Sequence, residues 1–518
     1  MRSFLLVVAI AALLRLVVAG RQDLWADELF SLAVATGHSL EHPAAQADPA
    51  AGDFVEPAGA VTPATFRRYL TPESSFVVVS HVIRAVRLSD TSPPVYYLVL
   101  ASWTRLFGAS DLALHALSVA WALAAMPLLW RIGLRVGTPR DALTGCVLFA
   151  LAPASLYYSV EARMYAMVWF ETLLAAWLTL RLHDRGGTAA LAAWTITGAA
   201  GLLTHYFFAF VWAACVLWLW LRPGRSPRLH LGAALVLTLL LIAPWYRLVP
   251  ATMARWRVTG HWLDGLPSAG HLLLAPVALG WSFVSGRGVW GGLAWPDRGA
   301  ALIVAGVGLL WLRRGRAALF AQGRDLLWLL AVASCIGPVV FDLLRGTSTS
   351  LIARYALAGL PAGLLLLAHA LGELPRRAAA LALALLLLAW LPGLREIAGG
   401  RSRAWEPYRA VAHQVGAWAG PRDLLLVHSI PSGVLGIARY LAADVPMAAW
   451  VGQLGRRAVP ADIEALVASR SRVALIRIHD VGEPAPEEAW LRAHATVLRE
   501  ERLEGADVVY FDVESTRR

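Results

Sequence analysis

The stretch that decides the fold is residues 23–31, which follow an apolar segment at residues 3–20 and read Asp23-Leu24-Trp25-Ala26-Asp27-Glu28-Leu29-Phe30-Ser31. The adjacent carboxylates of Asp27 and Glu28 therefore lie a few residues beyond a predicted first membrane span. Ionised groups at that depth are costly unless they face water, a partner or a substrate. The acidic pair thus predicts a chemical site at the mouth of a helical bundle.

The composition is that of a membrane protein. Of the 518 residues, 58% are hydrophobic and only 16% are charged, and the mean hydropathy is +0.57. These values exceed those of soluble proteins and require several membrane spans. The net charge of +11 comes from arginines in short loops, which the positive-inside rule explains without a nucleic-acid partner. The three cysteines lie in apolar runs, so neither a disulfide nor a metal framework is indicated.

The apolar runs predict 11 membrane spans, or 13 if residues 93–107 and 268–285 each cross the bilayer. No small-x-small cleavage site follows the first run, so we expect an uncleaved first span with its N-terminus inside. Arginine clusters at alternate loops assign those loops to the cytoplasm. Because the number of spans is odd, the C-terminal end of the chain is expected outside.

Two domains are predicted. Residues 1–395 form a transmembrane catalytic domain, whose first extracytoplasmic loop is residues 21–92. Residues 403–516 have the pattern of a soluble α/β domain outside the membrane. Its buried strand runs are residues 423–427, 472–476 and 507–511. This domain has no glycine-rich phosphate loop and no nucleophile motif, so we expect it to have an accessory or acceptor-docking role.

Four polar motifs fall on the predicted outer face, although they are far apart in the sequence. They are Asp27-Glu28, Tyr158-Ser159-Val160-Glu161-Ala162-Arg163-Met164-Tyr165, Thr204-His205-Tyr206-Phe207 and Ala353-Arg354-Tyr355. The placement of every motif on one side predicts that they contribute to one shared site.

The acidic pair and the tyrosine-rich motif resemble those of the GT-C glycosyltransferases, polytopic enzymes that move a sugar from a polyprenyl-phosphate carrier. A third stretch supports the resemblance and reads Asp90-Thr91-Ser92-Pro93-Pro94-Val95-Tyr96-Tyr97, followed by Leu106-Phe107-Gly108. The order and spacing of the motifs cover roughly residues 1–370. They are most similar to the bacterial branch related to protein mannosyltransferases and to the aminoarabinose transferase of lipid A. The resemblance implies a GT-C-like polytopic α-helical fold.

The resemblance also implies roles for the carboxylates. Asp27 matches the family's catalytic acidic position and would take the proton of the acceptor. Glu28 would hold the acceptor or the base, and Asp90 would orient the acceptor or bind a divalent ion. Each residue has a simpler alternative, because acids stabilise a helix N-terminus and aspartate favours a turn of the kind that precedes Pro93-Pro94.

The departing phosphate needs cations, and the planar guanidinium of arginine suits it. Arg163, aimed by Glu161 and with Tyr165 nearby, is one candidate, and Arg354 with Tyr355 is the second. Arg255 and Arg257 could also recruit the anionic donor, and an ordinary interfacial loop explains them equally well. Two further residues are expected in the pocket, namely His205 and Tyr206. The alternative is a local ion pair within an aromatic belt. No cluster has metal-ligand spacing, so no obligatory metal is expected, although a divalent cation could bind.

We therefore expect a multi-pass enzyme of the bacterial cytoplasmic membrane that transfers a hexose or a pentose from a polyprenyl-phosphate donor. The acceptor would be a lipid, glycan or protein on the outer face, and the transfer would invert the anomeric carbon. Two rival functions remain: a transporter or flippase of lipid-linked sugars, and a non-catalytic partner in envelope-glycan assembly. A transporter would have broken helices or an inverted repeat with charges near the midplane, and the sequence indicates neither.

Overall fold

The structure, a computed structural model, describes residues 1–72, 79–90, 92–222, 224–260, 262–285, 295–400, 403, 405–479 and 485–514. The helices are, in chain order, α1 (Arg2–Ala19), α2 (Ala26–Ala35), α3 (Pro63–Arg67), α4 (Val79–Ser89), α5 (Val95–Phe107), α6 (Asp111–Val136), α7 (Pro139–Leu151), α8 (Pro153–Ser159), α9 (Tyr165–Asp184), α10 (Thr188–Leu202), α11 (Phe208–Leu221), α12 (Arg228–Tyr246), α13 (Val249–Met253), α14 (Ala269–Ser282), α15 (Trp295–Leu312), α16 (Arg316–Phe320), α17 (Arg324–Arg345), α18 (Leu360–Gly372), α19 (Arg376–Ala398), α20 (Tyr408–Trp418), α21 (Pro431–Tyr440), α22 (Ala461–Val467) and α23 (Pro486–His494). The strands are β1 (Leu424–His428), β2 (Met447–Trp450), β3 (Arg472–Ile478), β4 (Thr496–Leu503) and β5 (Ala506–Asp512).

The chain folds into two compact units, each assembled from separate pieces of sequence. The membrane unit consists of Met1–Arg21, His115–Val249 and Leu263–Gly399. The sheet unit consists of Gln22–Leu114, Pro250–Trp262 and Gly400–Arg518. The first loop after α1 therefore packs in the same unit as the C-terminal part of the chain.

Long apolar helices confirm that the chain is a polytopic helical membrane protein. In the described part of the chain, six helices are long and apolar enough to cross a membrane, or seven if the bent pair α7 and α8 is one span. The six are Arg2–Ala19, Asp111–Val136, Arg228–Tyr246, Ala318–Arg345, Ala353–Gly372 and Arg376–Ala398. Shorter apolar helices such as α11, with 14 residues, rise only about 21 Å, against about 30 Å of hydrocarbon. The expected 11 to 13 spans need these helices to cross as well, so that number stays a prediction.

Apolar side chains cover the outside of several of these helices. On α12, Leu239 and Leu240 expose 62% and 64% of their surface, and on α19 Leu388 exposes 63%. A helix that is apolar on its outer face as well as its inner face fits a surrounding of lipid rather than water.

The expectation that no helix is broken is wrong at one place, because α7 and α8 are bent by 60°. Pro153 has no N–H to donate, so the Phe149 carbonyl loses its helical partner. Arg15, fully buried in α1, donates to the carbonyl oxygens of Phe149 at 3.0 Å and Ala150 at 3.1 Å and to Ser155 Oγ at 3.0 Å. The guanidinium thus satisfies backbone groups that the break leaves open, as lipid surroundings require.

The C-terminal part of the sheet unit confirms the predicted small α/β domain. In the described residues its sheet has five strands in the order β2-β1-β3-β5-β4. Strand β1 is parallel to β2 and β3, and β5 is antiparallel to β3 and β4. Two strands were not predicted, because β2 has only four residues and β4 is mostly exposed and carries no apolar run.

The first loop covers the β2 edge of this sheet. Val61 and Met447 exchange backbone hydrogen bonds at 2.9 and 2.8 Å. Glu56 accepts the Val451 N–H at 2.7 Å, and Arg457 donates to the carbonyl oxygens of residues 57 and 58. An open strand edge presents unpaired backbone groups, and the loop pairs some of them.

Candidate active site

Asp27 and Glu28 occupy the first turn of α2, but their surroundings differ. Glu28 is fully buried, and its Oε2 accepts the Trp25 N–H at 3.1 Å and a hydrogen bond from Arg403 Nη1 at 2.6 Å. Arg403 is 5% exposed and also donates to the Asp23 carbonyl at 2.8 Å. Glu28 therefore caps the helix and forms a buried ion pair. Asp27 is partly exposed, so it is the more accessible of the two carboxylates.

A further carboxylate, from the C-terminal part of the chain, contacts the same helix start. Buried Glu406 accepts the Ala26 N–H at 2.5 Å through Oε2 and pairs with His479 Nδ1 at 2.7 Å through Oε1. Next to it, the rings of Trp25 and Trp405 meet edge to face, with centroids 5.1 Å apart. Neither Glu406 nor His479 was predicted, because the contacts that distinguish them join residues 380 and 73 positions apart.

Asp90 lies in a turn. Its Oδ1 accepts the Ser92 N–H at 2.9 Å and its Oδ2 accepts the Tyr97 hydroxyl. Arg257 Nη2 lies 3.5 Å from the Asp90 carbonyl oxygen and 2.6 Å from that of Thr252. The hydrogen bond from the Ser92 N–H is that of a turn aspartate. The predicted part of Asp90 in orienting the acceptor or binding an ion stays a prediction, and Thr91 lies outside the described residues.

Glu41 and His479 are among the titratable groups of the sheet unit whose pKa values are shifted. Burial raises the pKa of Glu41 to about 7, although the Thr259 N–H, 3.0 Å from its Oε2, opposes the shift. Burial by itself lowers the pKa of His479, but the hydrogen bond to Glu406 and the charges of Glu406, Asp27 and Glu41 outweigh burial and raise it. Three carboxylates therefore act on one imidazole.

In the membrane unit, the tyrosine-rich motif forms the turn between α8, which ends at Ser159, and α9, which begins at Tyr165. Ser118 of α6 donates its hydroxyl to the Glu161 carbonyl oxygen and lies 3.4 Å from the Arg163 carbonyl oxygen. Glu161 is fully buried and Arg163 is 9% exposed. The break before α8 and the Ser118 contact together fix where this motif lies.

A series of rings links this turn to the two other motifs of the membrane unit. The ring centroids of Tyr158 and Tyr165 are 5.0 Å apart, and those of Tyr165 and His205 are 6.2 Å apart. The ring centroids of His205 and Tyr355 are 6.4 Å apart, and the Arg354 guanidinium lies 5.7 Å from the Tyr355 ring centroid. Glu161 and Arg354 both act electrostatically on Tyr158. Tyr165, His205, Arg354 and Tyr355 are thus brought together in the membrane unit, and Glu161 and Arg163 lie in the turn before Tyr165.

Tyr206 contacts two residues of α12. Its hydroxyl accepts a hydrogen bond from Trp245 Nε1 at 3.1 Å, and its ring meets that of Tyr246 edge to face at 5.8 Å. Its neighbour Phe207 packs on Tyr355 at 5.0 Å. Phe207 is therefore a second residue of this motif, with His205, that contacts the Tyr355 ring, while the predicted pocket role of Tyr206 stays a prediction.

Among the residues that the structure describes, no group of three or more histidine, cysteine, aspartate or glutamate side chains could hold a metal ion. The three cysteines are buried free thiols. That the protein needs no obligatory metal stays a prediction.

Comparison with known proteins adds to this geometry. Residues 91–246 match the sequence family described as dolichyl-phosphate-mannose-protein mannosyltransferase. None of the curated proteins matches the chain by sequence. Among solved structures, ArnT from Cupriavidus metallidurans bound to undecaprenyl phosphate is 14% identical, with a TM-score of 0.58 over 98% of this chain and 97% of that chain. ArnT from the same organism in the apo state is 13% identical, with a TM-score of 0.53 over 92% of this chain and 95% of that chain.

This chain has the GT-C fold. The resemblance predicted from the acidic pair and the tyrosine-rich motif is confirmed, and at these identities the likeness to ArnT concerns the fold alone. The GT-C likeness also reaches further than the motifs, which end near residue 370. Coverage of 98% includes the C-terminal domain, so the likeness in fold to the ArnT structure extends over that domain.

Proposed function

We propose that this protein is an integral-membrane glycosyltransferase that moves a monosaccharide from a polyprenyl-phosphate donor to a cell-envelope acceptor on the outer face of the cytoplasmic membrane. The observation that carries the proposal is the placement of Asp27 on a GT-C fold. It is a partly exposed carboxylate in the first turn of α2, beside Glu28, which is buried and ion-paired. The ArnT structure with undecaprenyl phosphate has a similar fold, which supports a lipid-phosphate donor.

In the proposed reaction, Asp27 takes the proton of the acceptor group while the acceptor atom attacks the anomeric carbon. The new bond to that carbon forms as its bond to the phosphate oxygen breaks. The polyprenyl phosphate leaves with the electron pair of that bond. A single displacement of this kind inverts the anomeric carbon.

Arg163 and Arg354 are proposed to hold the departing phosphate. Arg354 is partly exposed and lies over the Tyr355 ring, and Arg163 lies in the turn that Ser118 holds. Guanidinium groups bind phosphate through charge-assisted hydrogen bonds, which strengthen where water is excluded. The neighbouring rings of Tyr158 and Tyr165 exclude water, since they are 2% and 4% exposed.

The test compares the wild type with Asp27→Asn in a deletion strain. The first measurement is mass spectrometry of cell-envelope glycans. The second is the release of undecaprenyl phosphate by purified protein from a panel of synthetic undecaprenyl-phosphate monosaccharides, with envelope extract of the deletion strain as the source of acceptor. Loss of a general base lowers the rate on the order of 10²–10⁴-fold. We expect Asp27→Asn to lose transfer by that factor while its thermal unfolding is unchanged.

The matched control is Asp444→Asn, which removes an exposed carboxylate of the same unit and should keep full transfer. Near-normal transfer by well-folded Asp27→Asn protein would remove Asp27 as the base. Identical glycan masses in deletion and wild-type strains, with no donor turned over by the purified protein, would reject the proposed function.

The broken pair α7 and α8 with buried Arg15 favours the transporter alternative, since transporters use discontinuous helices. Vesicles that contain the purified protein separate the two functions. A transporter moves the lipid-linked sugar between leaflets and leaves its bond to phosphate intact. A glycosyltransferase breaks that bond and releases polyprenyl phosphate only when Asp27 is present.

A further inference from the structure

The carboxyl ends of β1 and β3 form a switch point in the sheet. The chain leaves β1 for β2 on one side and then returns to β3 on the other side of β1. In parallel α/β sheets, ligand sites lie at such a point, beyond the carboxyl ends of the strands. Here Ser429 follows β1 and His479 follows β3, and the Ser429 hydroxyl donates to the Ile478 carbonyl oxygen. The two strand ends are thus tied together immediately before His479.

His479 is held in an uncommon backbone conformation at this point. Its φ is +50°, in the left-handed region that residues other than glycine seldom occupy. Strain of this kind concentrates at functional positions. The imidazole pairs with Glu406 at 2.7 Å, and the other oxygen of Glu406 accepts the Ala26 N–H at 2.5 Å. A continuous path therefore runs from the end of β3 to the residue before Asp27.

The carboxylates around His479 favour its positively charged form. Glu406 is its hydrogen-bonded partner, and Asp27 and Glu41 also act on the ring. A protonated His479 therefore offsets repulsion between the Glu406 and Asp27 carboxylates, both of which lie at the start of α2. Burial opposes the charge, and the side chain is 31% exposed.

We propose that Glu406 and His479 are positioning residues for Asp27, so that the C-terminal α/β domain forms part of the active site. This inference rests on the proposed function, because Asp27 is there the base. Glu406 fixes the Ala26 amide and with it the first turn of α2. Protonated His479 fixes Glu406 and keeps a positive charge within range of Asp27. Neither residue takes a proton from the acceptor.

The experiment uses the full-length protein and one undecaprenyl-phosphate monosaccharide that the wild type turns over. The variants are Glu406→Gln and His479→Gln. The matched control is Asp423→Asn, which weakens the Asp423–Arg472 pair at the opposite, amino ends of β1 and β3. The two pairs have similar exposure. The side chains of Glu406 and Asp423 are 1% and 4% exposed, and those of their partners His479 and Arg472 are 31% and 39% exposed.

Misplacing a catalytic group by about 1 Å costs on the order of 100-fold in rate. We expect kcat of both variants to fall about 10- to 100-fold, with KM for the donor unchanged, and kcat of Asp423→Asn to stay within about two-fold of wild type. Melting temperatures of all proteins are measured alongside. If Glu406→Gln does not fold, partly exposed His479 supplies the variant that decides.

The pH profile gives a readout that a purely structural role does not move. Wild-type kcat should fall as pH rises through the raised pKa of His479, because the ring then loses its charge. Glu406→Gln should move this fall to lower pH, and His479→Gln should abolish it. Both variants with wild-type kcat and pH profile, while Asp27→Asn is inactive, would overturn the positioning role alone. A wild type that turns over no lipid-linked sugar would overturn this inference together with the proposed function.

Discussion

At the scale of single residues, two neighbouring carboxylates have separate tasks. Glu28 is buried and accepts hydrogen bonds from the Trp25 N–H and Arg403, whereas Asp27 is partly exposed. The position of each in the first turn of α2 decides this, because successive helical residues point about 100° apart. The alternative of a helix-stabilising acid therefore describes Glu28 well, and its predicted part in holding the acceptor or the base stays a prediction.

We expect Glu28→Ala to unfold more readily than the wild type. It removes the helix cap and leaves the Arg403 guanidinium, 5% exposed, without its carboxylate. Removing one partner of a buried ion pair costs about 3–5 kcal/mol. Thermal unfolding in detergent measures the loss, and Asp27→Asn is the control that should unfold like the wild type. The double variant with Arg403→Ala should lose less than the sum of the single changes. Additive losses would show that the pair does not couple.

At the scale of elements, α21 follows β1 and packs closely on its neighbours. Gly436 lies where a Cβ atom would come 2.7 Å from Tyr408 Cγ in α20 and 2.9 Å from Leu29 Cδ1 in α2. Tyr408 and Leu29 are both fully buried. The missing side chain therefore permits α21 to approach the helix that carries Asp27.

Gly436→Ala should destabilise the sheet unit. Three atoms of Tyr408 and Leu29 would lie closer than 3.0 Å to the added Cβ and force these buried neighbours to shift. Overpacking of this kind costs about 1–3 kcal/mol. Gly452→Ala is the matched control, because a Cβ there meets nothing within 4 Å. Thermal unfolding of both variants measures the difference. Equal unfolding temperatures would show that α21 can move away from α2 at little cost.

At the scale of the whole molecule, the long first loop is not an independent lid but part of a folded unit. It pairs with the β2 edge, and Glu56 within it accepts the Val451 N–H. Glu56 is 1% exposed, and burial raises its pKa to about 7, although the Val451 N–H and the charges of Arg457 and Arg456 oppose the shift. Its attachment to the sheet therefore responds to pH.

The direction in which stability changes with pH follows from the protons bound by the folded and unfolded states. In the unfolded chain the Glu56 carboxyl has its ordinary pKa of 4.5, so between about pH 4.5 and 7 the folded state binds more protons. Stability should therefore fall as pH rises through this window, by about 3 kcal/mol for this group. Glu41 contributes in the same direction. Glu56→Gln should remove about half of the pH dependence that Glu41 and Glu56 together give to the free energy of unfolding. Unfolding at several pH values measures this dependence.

The control for this prediction is Glu464→Gln, at an exposed position of α22, which should keep the wild-type slope. A Glu56→Gln protein with an unchanged slope would show that Glu56 ionises in the folded state as it does in the unfolded chain.

The sequence by itself determined the polytopic helical class, the α/β pattern near the C-terminus and the GT-C resemblance. Each rests on signals that lie within a few tens of residues: apolar runs, alternating strand residues and short motifs such as Asp27-Glu28. The motif that carries Glu161 and Arg163 could be selected from the sequence for the same reason, because its tyrosines and charges are contiguous.

Only the tertiary structure decided which side chains contact these helices and motifs from distant parts of the sequence. Arg15 satisfies carbonyl groups 134 and 135 residues away, and Glu406 accepts an amide 380 residues away. Periodicity and spacing carry no information about such pairs, because a hydrogen bond depends on atoms within about 3 Å and not on separation along the chain. The same limit hid the difference in burial between Asp27 and Glu28, since burial is a property of the packed unit.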